Sequence, residues 1–431
     1  MTSPISSFIN HINLPRFVRV HQVFAHNEIG EEEIAAKLTE DLKNPEIEKA
    51  VRPGMRIAIT CGSRGVSNMP FVTKFLVDYV RSKGAEPFLI PTMGSHGGAT
   101  AEGQIEILKS LGITEEAMGA PILSDMTTVK VGHVKDDEDD FDVCIDKNAA
   151  ECDAIIALNR VKAHTSFQGP YESGMMKMLT IGIGKQYGAH ICHANGDDSM
   201  SQRIGKNARV VIENANVVIG VALLENSFDK TFYVEAMPGK EIPEREPELL
   251  TKAKAQMGRI WFPSCDTLIV RELGKNYTGA GMDPNIVGRC VNEKLKMGIE
   301  AQRIGIFDLT DESHGNATGM GRADFCTDRF FKKVSFADTY PNAITSYNAS
   351  AYRIPVVAGS EKDVIQACLA SSIKIDYDNP RIIIINNSLE IEEILISEAM
   401  LPEAEKMDTI EVESEPFELS FSPEGDMLTK F

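Results

Sequence analysis

Between Ala154 and Leu158 the chain carries an uninterrupted apolar run, Ala-Ile-Ile-Ala-Leu, that ends abruptly at Asn159-Arg160. A short run bounded in this way reads as a strand buried on both faces, which implies a parallel or mixed sheet covered by helices. The polar residues Arg160, Lys162 and His164 then emerge at the strand's carboxyl end, where open α/β sheets place their ligands.

The same grammar recurs along the chain. Arg56 to Thr60 is a strand that runs into Cys61-Gly62-Ser63-Arg64-Gly65, and Ser67 or Asn68 with Pro70 opens a helix that stops at Gly84. Phe71, Phe75 and Tyr79 fall on one face of that helix. Pro87 to Ile90 is a second short strand, followed by Thr92-Met93-Gly94-Ser95-His96-Gly97-Gly98 and a helix from Thr100 to Leu111, closed by Gly112. Glycine-rich loops after strands leave backbone N–H groups free at a helix start, where an anion can sit. Earlier, Phe17 to Val20 is extended, and Ile34, Leu38 and Leu42 recur at helical spacing.

At 431 residues the chain exceeds one ordinary core. After the strand Val217 to Leu224 and the helix Glu244 to Met257, Pro263-Ser264 looks like a junction. A second strand set follows at Thr267–Val270, Arg303–Phe307, Pro355–Val357 and Arg381–Ile385. The expectation is two α/β domains with mostly parallel or mixed sheets and an active-site cleft between them. Residues 1–263 form the N-terminal cofactor-binding and catalytic domain, and residues 264–431 a C-terminal domain that closes the cleft, with 417–431 free to pack back on the first.

A net charge of -19 argues against nucleic acid as a partner, because neutralising phosphates needs clustered Lys and Arg. A small anionic substrate must therefore be held by a local basic pocket. The acidic run Asp136 to Asp140 reads as a solvated hairpin or loop. No stretch resembles a leader or a bilayer span, and the eight cysteines lie scattered without a CxxC pair, as suits reduced thiols. The expected location is the cytoplasm, with no membrane partner; the oligomeric state is not legible.

The chemistry concentrates in 159–195, NRVKAHTSFQGPYESGMMKMLTIGIGKQYGAHICHAN. Lys177 sits between Met175-Met176 and Met178-Leu179, company that is costly for an ammonium unless it is paired, neutralised or covalently modified. A lysine that snorkels to water along its stem is the plain alternative. His190 and His193 follow on a glycine-flanked segment, and either ring could meet a metal. Of the nine histidines, His11, His21, His26 and His133 read as structural or surface groups. His96, His164 and His314 lie just beyond strands, as do Arg64 and Lys275. Two imidazoles that can each give and take a proton suit inversion at a carbon bearing a hydroxyl. The α proton of a 2-hydroxy acid is too weakly acidic for imidazole, so lending a hydride to an electron-poor cofactor is the easier route.

On Ser63-Arg64, Gly94-Ser95-His96, His164, Glu172-Ser173-Gly174-Met175-Met176-Lys177 and His193, the chain resembles the nickel-pincer-nucleotide-dependent lactate racemase family over most of its length. The resemblance implies an isomerase, a 2-hydroxy acid racemase or epimerase. Its cofactor is a pyridinium-3-thioamide-5-thiocarboxylic acid mononucleotide carrying nickel, joined to Lys177 and made by separate maturation enzymes. It also implies His193 as the metal ligand, His96 and His164 as acid/base groups, and Arg64 as the carboxylate anchor. Ser63, Gly94 and Ser95 then line the cofactor.

Members acting on lactate have an aspartate and a proline where this chain has Cys61 and Gly65, and their C-terminal Tyr-Gln…Lys substrate motif has no clear counterpart here. A hydroxy acid other than lactate is therefore expected, with Lys275, Asn276 or Arg289 as candidates for the missing substrate contact. His314 and Asn316 are candidates either for the cleft or for stabilising a turn.

Three rivals remain at this stage. Lys177 could form a Schiff base with pyridoxal phosphate or a carbonyl substrate. His190 and His193 could belong to a zinc hydrolase. The chain could also bind hydroxy acids without catalysis.

Overall fold

The computed structural model describes residues 5–194, 196–292, 294–345 and 348–431; Asn195, the last residue of the stretch above, lies outside them. The chain forms two compact units, residues 26–257 and residues 1–25 with 258–431, each a sheet flanked by helices. The expected α/β class with mixed sheets is what the structure shows.

In the 26–257 unit the strand order is Glu86–Pro91, Arg56–Cys61, Ala154–Arg160, Val217–Glu225, Thr231–Pro238. The first four run parallel and Thr231–Pro238 is antiparallel at the edge. Alternation sends Ile155 and Ala157 to one face with Ala58 and Ile90, and Ile156 and Leu158 to the other with Ile57 and Ile59. Both faces are buried, which is why the run Ala154–Leu158 has no polar interruption. Because Arg56–Cys61, Glu86–Pro91 and Ala154–Arg160 are adjacent and parallel, their carboxyl ends share one edge. That edge carries Arg64, His96 and His164.

The helix Met69–Ser82 begins as its Pro70 predicts, with Asn68 in the left-handed conformation before it. Met69, Val72, Leu76, Val77 and Val80 enter the core, and the face bearing Phe71, Phe75 and Tyr79 packs half-buried beside it. Ala101–Ser110 is capped by Thr100, whose hydroxyl accepts the Gly103 N–H. The acidic run turns the hairpin Thr128–Lys135/Asp140–Asp146, but it is not wholly solvated: Asp139 is buried against Arg203 at 2.6 Å and Lys206 at 2.9 Å.

The other unit holds an eight-stranded mixed sheet: Val356–Gly359, Phe325–Thr327, Glu300–Leu309, Ser264–Leu273, Ile382–Ile385, Glu393–Ser397, Phe17–Gln22, Ile410–Val412. The first five are parallel and the last three pair antiparallel. Phe417 pairs with Phe17 by backbone hydrogen bonds of 2.7 and 2.8 Å. No described helix is long and apolar enough to cross a membrane. All eight cysteines are unpaired.

Candidate active site

Each of the three strand ends contributes by a different local device. After Arg56–Cys61 the turn Gly62–Gly65 presents Arg64, which has no hydrogen-bond or ion-pair partner among the described residues. Its side chain is open to solvent, yet dense surrounding protein and the neighbouring Arg160 lower its pKa, as expected for a guanidinium in a concavity. Arg160 itself pairs with buried Glu225, whose other oxygen accepts the Ser67 N–H.

Beyond Glu86–Pro91, Gly94 takes a left-handed turn (φ 61°) that a side chain would strain. Its N–H donates to Gly182 O at 3.2 Å, docking the loop on the segment that follows Lys177. His96 stands at the tip with Nδ1 2.6 Å from Ser63 Oγ, joining two strand ends. Ser95, beside it, is exposed.

Beyond Ala154–Arg160, Lys162 bridges to Ser173 and closes a loop over 163–172. Buried Glu172 holds that loop: Oε2 accepts the His164 N–H at 2.8 Å, and Oε1 accepts from Gly169 N at 3.1 Å and Lys254 Nζ at 2.6 Å. The His164 ring packs on Phe167 at 4.1 Å, and Lys177 Nζ lies 5.6 Å from the same ring. Phe167 thus seats both residues. Nδ1 of His164 accepts the Ser166 N–H at 3.2 Å, which puts the neutral ring's proton on Nε2.

Lys177 ends a single helical turn, Met175–Lys177, and the chain then widens into a π turn over Met178–Gly182 closed by Ile183 N–H to Met178 O at 2.8 Å. Such turns cost hydrogen-bond regularity and recur at functional sites. Lys185–His193 continues as a helix and carries both His190 and His193. Burial first, then the charges of Lys177, His193 and Lys162, hold His164 well below the ordinary imidazole range. Burial and Lys177 lower His193 in the same way. Lys177, His164 and His193 therefore share one electrostatic neighbourhood.

An imidazole whose folded pKa lies below its unfolded value favours the folded state in full above pH 6.5 and loses that contribution as pH falls below it. Thermal unfolding followed across this range should show stability dropping on acidification, with a shallower drop in His164→Gln.

The turn bearing Lys177 has a partner that sequence reasoning missed. Glu246, fully enclosed, accepts the Met176 N–H at 3.0 Å, and burial raises its pKa to about 7. A Cβ on Gly174 would come within 2.5 Å of that carboxylate, so glycine is what lets Glu246 reach the turn. Gly174→Ala is expected to destabilise the protein by about 1–3 kcal/mol through overpacking, measurable by denaturant unfolding. The only sequence signal was the glycine ahead of the Met pair.

The remaining candidates lie in the other unit. Lys275 N–H donates to Ser313 Oγ at 2.9 Å, and Asn276 Oδ1 accepts from Thr310 Oγ1 at 2.8 Å, both inside one turn system. Arg289 pairs with Asp324 at 2.6 Å and donates to the carbonyls of Arg322 and Gln302, an arrangement that braces backbone. His314 occupies a left-handed position (φ 47°) in its turn, and Asn316 bonds Asp338 O at 2.8 Å. Of the histidines read as structural, His21 pairs with Glu393, His133 with Asp140 and Asp142, and His26 stacks on Phe228.

A family model described as a domain of unknown function, DUF362, matches residues 59–234, a span that includes all three strand ends. No curated protein matches the chain. Among solved structures it is similar to the lactate racemase apoprotein from Thermoanaerobacterium thermosaccharolyticum, at 14% identity and a TM-score of 0.45, covering 67% of this chain and 74% of that one.

Proposed function

We propose that this chain is a racemase or epimerase that inverts C2 of a 2-hydroxy acid, with a nickel-pincer nucleotide joined to Lys177 and His193 as its protein ligand to nickel. The observation that carries the reading is the grouping of Lys177, His164 and His193 in one enclosed neighbourhood, beside a loop that brings in His96. Acylating Lys177 removes the positive charge that opposes protonation of both neighbouring imidazoles.

The donor set fits such a group. Among the described residues, groups of three possible metal donors occur at His21, Glu393, Glu413 and at Asp136, Glu138, Asp139, and neither includes His193. A metal that brings its own carbon and sulfur chelator needs only one imidazole from the protein, whereas a zinc hydrolase needs about three protein ligands. When bound, the nucleotide supplies a reversible hydride acceptor.

The chain's own residues do the rest. Arg64 takes the substrate carboxylate with a fork of donors that none of the described residues occupies. With Lys177 acylated, His164 can take a proton, and its imidazolium, with Nδ1–H turned to Ser166 Oγ, gives the Nε2 proton to an alkoxide at C2 and is left neutral. His96 accepts the hydroxyl proton at Nε2 when its Nδ1–H donates to Ser63 Oγ. Inversion in the other direction exchanges the two roles. Ser63, Gly94 and Ser95, on the loops that carry Arg64 and His96, would line the nucleotide. Cys61, buried with its thiol pushed up to about 12, stays un-ionised where lactate enzymes carry an aspartate, and this favours a different hydroxy acid.

The test uses protein co-produced with the cofactor-maturation enzymes. It is incubated with single enantiomers of aliphatic, aromatic, dicarboxylic and sugar-derived 2-hydroxy acids, and the products are resolved by chiral chromatography. Inversion of at least one is expected. Loaded protein that inverts none of them, or a Lys177 imine trapped by borohydride, would sink the reading in favour of a binding protein or a Schiff-base enzyme.

A further inference from the structure

Lys185 lies on the same segment between Lys177 and His193, and its side chain is wholly buried. It is also one of the few non-glycine residues with positive φ (53°), a conformation that persists only where surrounding contacts enforce it. Those contacts are its ammonium's: Pro91 O at 2.6 Å, Gln104 Oε1 at 3.1 Å and an ion pair with Asp146 Oδ2 at 2.9 Å.

Every partner is anchored in turn. Asp146 is fully buried, caps the turn Lys147–Ala150 through the Asn148 N–H at 2.7 Å, and donates its own N–H to Ile183 O at 2.8 Å. Gln104, equally buried, donates its amide to Gly94 O at 2.9 Å and to His96 O at 3.3 Å. An unbroken polar chain therefore runs from the start of the His193 helix, through the Lys185 ammonium and the Gln104 amide, to the two carbonyls that bracket the His96 loop.

We propose that Lys185 is a positioning residue: acting through Gln104, it sets where the His96 imidazole stands relative to the Lys177–His193 segment. The proposal rests on the reading of His96 as an acid/base group only for its catalytic consequence; the positioning itself belongs to the protein without cofactor. In a buried network every donor has one geometry that satisfies it, so removing the central link frees the loop instead of letting it re-form elsewhere.

The experiment uses full-length protein labelled with 13C at histidine Cε1, with the His96 resonance assigned from His96→Gln. Gln104→Met leaves the Lys185–Asp146 pair in place and removes both bonds to the loop. Gln104→Glu still accepts from Lys185 but cannot donate to Gly94 O or His96 O. Both variants should shift or broaden the His96 resonance while the His26 and His133 resonances and the circular dichroism stay unchanged. Lys185→Met should do the same where it folds, and the two Gln104 variants decide the matter where it does not. In loaded enzyme kcat should fall on the order of 10²-fold with KM little changed, as expected for a displaced acid/base group. An unmoved His96 resonance in both Gln104 variants overturns the proposal. A moved resonance in a protein that inverts no hydroxy acid would leave Lys185 as a positioning residue and remove only the racemase reading.

Discussion

Protein co-produced with the cofactor-maturation enzymes is expected to carry one covalent mass increment, located on Lys177, and one nickel per chain; Lys177→Arg is expected to carry neither. Arginine keeps the positive charge and most of the stem, so the Phe167 contact survives and the fold is not at issue. What is lost is the only nucleophilic amine in the Met175–Leu179 segment. Turnover should fall to background, because the proposed reaction has no hydride acceptor without the bound group. Intact-mass and peptide-level mass spectrometry with metal analysis decide the point. A bare Lys177 side chain in fully active wild-type protein would end the reading at its foundation.

His96→Gln and His164→Gln are each expected to reduce interconversion by roughly 10²–10⁴-fold in both directions, the usual contribution of a positioned acid or base. Because a substitution cannot change the equilibrium constant, the loss in kcat/KM must be equal in the two directions. The pH dependence separates the two residues. His164 is held well below the usual imidazole range by burial and by Lys177, so it stays neutral at pH values where an ordinary histidine is largely protonated. Its titration, followed by NMR, should lie below 6.5. Titration of His164 at or above that value in protein without cofactor would show that burial and the Lys177 charge do not govern this ring.

The fold was legible in the sequence wherever one element's own pattern was sufficient. Continuous apolar runs such as Ala154–Leu158 announce strands buried on both faces, and the glycines after Arg56–Cys61 and Glu86–Pro91 announce the loops that carry Arg64 and His96. The spacing of Phe71, Phe75 and Tyr79 announced one helix face, but that Val72, Leu76 and Val80 lie deeper in the core than these rings was decided by packing. Site reading followed the same division. Strand-end His96 and His164 and the oddly placed Lys177 stand out from composition alone, whereas Phe167, Glu246, Gln104 and Lys185 do not.

By itself, then, the sequence determined the alternation of strands and helices, the loops that end each strand, and the isolation of one lysine among methionines, since all of these are local preferences of short segments. Tertiary structure alone decided that Phe17–Gln22 joins the sheet of residues 258–431, pairing with Glu393–Ser397 far along the chain. It alone turned Arg289 onto Asp324, seated His164 and Lys177 on one phenylalanine, and joined Lys185 to Asp146 and Gln104. The physical reason is common to these cases: a buried polar group must find a partner, and which partner is near depends on how distant segments pack, information that no single window of residues contains.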